Sequence, residues 1–207
     1  MPRRRTTAGL GVAVLATVGT ALGAGNLDDA VLLYREHHYA QARSALEPLA
    51  AAQPSNAEAA YYLGMAIKRA GGQGSLDGAH LWLGKAVKLA PANLGYLADY
   101  GGVCLLLADR DSSLTLAVEG RDAMIRAVAG NPADLEACEG LMRFYARAPW
   151  PLGDARKAMD LAANIARRNP ARAPAAYASL VAGLEAAGRR EDADLARQAG
   201  GLAPAAK

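Results

Sequence analysis

The chain has 207 residues, of which 52% are hydrophobic and only 5% aromatic, with a formal net charge of +3 at neutral pH. Arg3, Arg4 and Arg5 account for all of that excess, so the rest of the chain is neutral, which argues against a protein that binds nucleic acid through a phosphate-neutralising face. Val and Ile are scattered among Ala and Leu without an alternating run bounded by turn residues, which excludes a sheet and points to an all-α fold.

The chain opens on the three arginines, continues through an uncharged apolar run from Ala8 to Ala21, and reaches small residues at Ala21-Leu22-Gly23. This is the pattern of an export signal, so residues 1–23 are read as a cleaved signal peptide. A retained membrane anchor is the competing reading, although the run falls short of the roughly 20 apolar residues that a bilayer span needs. No cysteine lies near the cleavage point to carry a lipid. The expected organisation is a signal peptide over 1–23, a helical repeat domain over 24–202, and a flexible C-terminus over 203–207. The mature chain is expected to be exported, periplasmic or secreted, with no stable membrane insertion.

Beyond the signal, four segments share one rule: a small residue is followed twelve positions later by proline, as in Ala42 with Pro54, Ala79 with Pro91, Gly120 with Pro132 and Ala158 with Pro170. The prolines stand 37, 41 and 38 residues apart, the signature of stacked helix pairs. The first pair runs from Asn26, a natural N-cap with Asp28 and Asp29 behind it, to Ala51. A second opens after Pro54 with Ser55 or Asn56 as cap, breaks at Gly71-Gly72-Gln73-Gly74, and resumes with Ser75 as cap. The third starts near Asn93, turns at Asp109 to Ser113, and continues through Val118 and Met124. In the fourth, Asp134 caps the first helix, the Pro149 and Pro151 pair interrupts it, and Asp154 starts its partner. A fifth pair spans Ala173–Ala187 and Arg190–Gly200, joined at Gly188.

Residues with chemical potential are few. Cys104 and Cys138 fall seven positions apart in the proline-aligned register, about 10 Å along parallel helices, whereas bridged Cα atoms lie within about 7 Å. Two separate, buried thiols are therefore expected. His37 and His38 are adjacent, a spacing that points their rings apart, and His80 stands alone, so no metal site is expected. The Gly71 to Gly74 cluster lacks the Lys and Ser/Thr of a phosphate loop. Glu136 and Glu139 share a helix face without an acid–base partner, and no Ser, His and Asp arrangement stands out. Neither a catalytic site nor a cofactor is expected.

The pattern resembles the tetratricopeptide repeat (TPR) family. Leu63-Gly64, Ala79, Leu83, Ala86 and Pro91 match its consensus in the second repeat, as do Tyr100-Gly101, Gly120, Met124, Ala127 and Pro132 in the third and Leu141-Met142, Ala158, Ala162 and Pro170 in the fourth. The consensus length is about 34 residues, and the three intervals exceed it by 3, 7 and 4, all between the two helices of a pair. The resemblance implies a right-handed solenoid of about five antiparallel helix pairs whose concave face is lined by the first helices. It carries the groove to Tyr34, Arg35, Tyr61, Met65, Lys68, Arg69, Leu105, Glu139, Arg143, Arg147 and Tyr177. Aromatic and Arg side chains anchor interfaces, but the tyrosines equally suit packing between repeats with only their tips wet. The Lys-and-Asn clamp with which some members hold a peptide C-terminus is absent from these positions.

Trp150, between two prolines, is either a plug packed over the fourth pair or an exposed recognition residue. The plug is favoured, because an exposed Trp without a partner is a liability. The expected function is a non-enzymatic adaptor of the cell envelope that takes a segment of another protein into its groove. A self-associating solenoid without a groove ligand, forming a homodimer, is the alternative, and an enzyme-associated module is a third reading.

Overall fold

The computed structural model describes residues 26–203. The signal-peptide reading of residues 1–23 and all but the first residue of the 203–207 tail lie outside them. The described residues form α1 (Leu27–Arg35), α2 (Tyr39–Ala52), α3 (Ala57–Ala70), α4 (Ser75–Leu89), α5 (Leu94–Asp111), α6 (Leu114–Gly130), α7 (Leu135–Arg147), α8 (Ala155–Arg168), α9 (Ala173–Ala186) and α10 (Arg190–Ala199). Consecutive helices pack in pairs and each pair packs on the next, an all-α solenoid. No helix among the described residues is long and apolar enough to cross a membrane.

The prolines act where one pair hands over to the next. Each is the second residue of a turn closed by a backbone hydrogen bond: Asn56 N–H donates to Gln53 at 3.0 Å, Asn93 to Ala90 at 3.0 Å, Asp134 to Asn131 at 3.1 Å and Arg172 to Asn169 at 3.0 Å. Proline suits that position because its φ is already fixed for the turn and no N–H is required of it. The turn's last residue then caps the next helix. Asn56 accepts from Glu58 and Ala59, Asn93 from Tyr96, and Asp134 from Ala137. The fourth turn ends on Arg172, which gives no such bond, and Pro174 in the first turn of α9 helps set the start instead.

The small residues sit where helices of a pair cross. Ala42, Ala79 and Ala158 are fully buried, and Gly120 is buried. Between α5 and α6 the approach is so close that a Cβ on Gly101 would lie 2.9 Å from the Gly120 carbonyl oxygen, and one on Gly120 equally 2.9 Å from that of Gly101. At Gly64 a Cβ would meet Leu83 Cγ at 2.9 Å. Larger side chains, including Leu46, Leu63, Leu83, Leu97, Ile165 and Leu180, fill the space between pairs, and no polar or charged side chain is buried among the described residues. Cys104 and Cys138 are both buried and unbridged, and burial pushes the Cys104 thiol up to about 12.

Two local expectations are corrected. Ser75 is the first residue of α4 and not its cap; Gly74, at a φ of 72° that glycine adopts without strain, takes that place. The turn expected at Asp109 begins only at Ser112, because α5 continues to Asp111, where Arg110 pairs at 2.8 Å with Asp77 of α4 and also with Asp111. The third repeat is four residues longer than the second, and the length lies in helices and not in a loop: α5 has 18 residues and α6 has 17, against 14 and 15 in α3 and α4, while the connection between them shortens from 71–74 to 112–113.

Candidate functional site

A groove of about 820 Å³ runs across α3, α5 and α7, the first helices of three successive pairs. Helix α5 lays Gly95, Ala98, Asp99, Gly102, Leu105, Leu106 and Asp109 along it, and α7 contributes Glu136, Ala137, Gly140, Arg143, Phe144 and Arg147. Those spacings of three and four place each set on one helical face. The floor is open because its residues are small: nothing lies within 4 Å of where a Cβ on Gly102 would stand. The long α5–α6 corner, with Leu114 66% exposed, and the 148–152 connection close one end.

The first helices run parallel, and most of the charge separates along the groove, with Asp109 in the last turn of α5 the acid at the basic end. Lys68 and Arg69 occupy the last turn of α3 and Arg147 that of α7, one turn beyond Arg143, while Asp134 and Glu136 lie at the start of α7 and Asp99 in the first half of α5. Basic residues at helix C-termini also offset the macrodipole, which explains part of this placement. None of Lys68, Arg69, Arg143 and Arg147 makes an ion pair within 4.0 Å among the described residues. Asp134 is engaged as the α7 cap. Asp99 accepts a 2.7 Å hydrogen bond from the Tyr61 hydroxyl. Partial burial holds its carboxyl above the usual carboxylate range, although the Tyr61 bond and the charges of Lys68 and Arg69 pull the other way. Burial likewise lowers the Lys68 amine, with Asp99 opposing.

Of the residues assigned to the groove from the sequence, Lys68, Arg69, Leu105, Arg143 and Arg147 line it. Tyr61 borders it through Asp99, with its ring stacked on Tyr96 at 4.3 Å. Tyr34 meets Tyr62 edge-on at 5.4 Å, so the tyrosines of α1, α3 and α5 tie successive first helices together. Arg35 is exposed beside the Tyr62 hydroxyl. Met65 is in the core. Glu139 pairs with Arg172 at 3.0 Å. Tyr177 is buried against Gly200, where a Cβ would come within 2.6 Å of its own. None of these last five residues (Tyr34, Arg35, Met65, Glu139 and Tyr177) lines the groove.

The plug expected of Trp150 is overturned, since the side chain is 87% exposed. The space beneath the connection is already filled: Leu152 turns toward the groove, and the Arg189 guanidinium donates to the carbonyls of Ala148 at 2.9 Å and Tyr145 at 3.3 Å. Its neighbours Pro149 and Leu152 line the groove's end, so Trp150 stands at the rim. Sequence reasoning missed Asp99, Leu106, Leu114 and Phe144. The Gly95, Ala98, Gly102 spacing, which clears one face of the helix that bears Leu105, was the available signal.

No family model matches the sequence, and no curated protein does. Solved structures do. The crystal structure of MamA protein aligns with a TM-score of 0.65 at 21% identity over 84% of this chain and 87% of that one. YrrB, described as a TPR protein with an unusual peptide-binding site, aligns with a TM-score of 0.65 at 18% identity over 84% of this chain and 82% of its own. A Thermobaculum terrenum O-GlcNAc transferase mutant matches with a TM-score of 0.57 at 24% identity over 69% of this chain, but only 25% of the transferase is covered. Together with the repeated turns and small-residue crossings, these likenesses define the class: the chain has the tetratricopeptide-repeat fold.

Proposed function

We propose that this chain is a non-enzymatic protein-interaction scaffold that holds a segment of another protein in the groove across α3, α5 and α7. The observation that carries the reading is the rim of four cations, Lys68, Arg69, Arg143 and Arg147, none of which makes an ion pair within 4.0 Å among the described residues, beside the apolar Leu105, Leu106, Leu114 and Phe144. The matching segment has apolar residues on its buried side and carboxylates facing that rim. Trp150, exposed at the same end, adds a large rigid contact of the kind that anchors interfaces. A scaffold already folded around its groove loses little freedom on binding, so affinity comes from burying the segment. Likeness to a protein described as peptide-binding supports the reading, and the basic, apolar and small-residue order of positions 1–23 supports a site of action outside the cytoplasm, periplasmic or secreted.

Selection from a random peptide library tests it. The native chain is expected to enrich sequences that combine acidic and apolar residues, and the Lys68→Glu, Arg143→Glu, Arg147→Glu variant is expected to lose them. Enrichment of the same sequences by both proteins would sink the proposal.

A further inference from the structure

His80, Cys104 and Glu119 are 24 and 15 residues apart in the chain. They lie on the consecutive helices α4, α5 and α6, and their donor atoms all fall within 4.8 Å of one another. None of them lines the groove, so what they form is separate from the scaffold reading. Backbone packing creates the cluster. The glycine crossing draws α6 against α5 until a Cβ on Gly120 would lie 2.9 Å from the Cys104 Cβ, which carries the adjacent Glu119 up beside the sulfur. On the other side, Gly84 leaves room for the Tyr100 ring, whose Cε2 would be 3.2 Å from a Cβ there.

That ring organises the rest. Tyr100 stacks on His80 with centroids 5.3 Å apart and planes 19° from parallel. Its hydroxyl donates to Glu119 Oε1 at 2.5 Å and lies 3.2 Å from His80 Nε2. One phenol thus brings an imidazole and a carboxylate together beside a buried thiol, with the three residues carried on packed helices.

We infer that His80, Cys104 and Glu119 are a three-ligand site for a zinc-class divalent cation, completed by water. Imidazole, thiolate and carboxylate are each ligands of zinc, and a soft thiolate with a nitrogen and one carboxylate disfavours magnesium and calcium. Three protein ligands with one open position is a recognised zinc arrangement. Bonds of about 2.0–2.3 Å in a tetrahedron place ligand atoms about 3.3–3.8 Å apart, so the cluster must close by roughly 1 Å. Cys104 is fixed by complete burial, and the half-buried His80 and exposed Glu119 supply that movement by side-chain rotation. The exposed carboxylate also marks the way in. On binding, the thiol proton passes to solvent and the sulfur joins the ion as thiolate, with no change of oxidation state. Tyr100 gives up its contact with His80 Nε2 to the ion and holds the bound carboxylate from outside the ligand set.

Cobalt(II) titration of the full chain after chelation and dialysis tests the site. The expected result is one cobalt per chain, tetrahedral visible bands, a thiolate-to-cobalt charge-transfer band in the near ultraviolet, and displacement by zinc. Cys104→Ser should abolish the charge-transfer band and Cys138→Ser should keep it. Glu119→Gln, a surface change that leaves the fold intact by circular dichroism, should weaken cobalt by at least about tenfold, the scale of outer-shell losses alone. No charge-transfer band in the native chain, the same band in Cys104→Ser, or undiminished affinity in Glu119→Gln would each overturn the inference.

Discussion

The two kinds of connection in this solenoid behave differently. Where one pair passes to the next, the chain uses the same proline-second, capping turn three times and a 3-10 turn with proline at the same place, Pro170–Arg172, the fourth time, all closed by bonds of 3.0–3.1 Å. Where the two helices of a pair meet, the connections differ in length and course: residues 36–38 and 187–189 share a three-residue turn with His37 and Gly188 at positive φ, whereas the Gly71 to Gly74 turn, Ser112-Ser113 and the 148–154 connection each differ from it and from one another. A stack grows only if each pair repeats the previous step, so the turn between pairs is held to one geometry. The connections within pairs project beyond the stack and are free to vary. There the chain places its extra helical turns, the end of the groove and Trp150.

Substitutions can break or sharpen that contrast. Leu83→Ala, at a fully buried position against Gly64, should cost about 2–5 kcal/mol, read from urea unfolding. Gly101→Ala forces a methyl toward the Gly120 carbonyl and should cost about 1–3 kcal/mol by the same measurement. Asn93→Ala removes a turn-side cap and should cost about 1 kcal/mol. Trp150→Ala, on the variable side, should change stability by less than about 0.5 kcal/mol while weakening capture of the acidic, apolar segment. A Trp150 variant less stable than the Asn93 variant would erase the distinction between the two sides.

Asp99 offers a pH test inside the groove. Its folded pKa is raised by burial, so the folded chain takes up this proton before the unfolded chain does. The native protein's stability from this group therefore rises as pH falls through the raised value and levels off below the ordinary carboxylate range. Asp99→Asn, which can still accept from Tyr61, should melt higher than the native chain at neutral pH, with the gap closing on acidification. A gap that widens in acid would contradict the assignment.

Much of the stack is legible in the sequence because its rules are local. A proline preset for a turn, an Asn or Asp that caps, and an Ala or Gly where helices cross each declare themselves by residue type. Features that depend on three dimensions are not. Ser75 resembles a cap until Gly74 is seen at positive φ, and Asp109 resembles a turn until Arg110 is seen paired with Asp77. Trp150 reads as a plug because nothing in the sequence shows Leu152 and Arg189 already beneath the connection. Lys68, Arg69, Leu105, Arg143 and Arg147 were accessible as first-helix residues. Asp99 emerged only once Tyr61 was placed against it, and His80, alone in the sequence, gained Cys104 and Glu119 as neighbours only through the glycine crossing.

The most direct measurement is the affinity of one acidic, apolar peptide, taken from the library selection, for the native chain and for the Lys68→Glu, Arg143→Glu, Arg147→Glu variant by titration calorimetry at two salt concentrations. The account predicts binding by the native chain that weakens with salt, and a loss in the variant of at least about tenfold, or about 1.4 kcal/mol. Equal affinity for the two proteins, insensitive to salt, would contradict it.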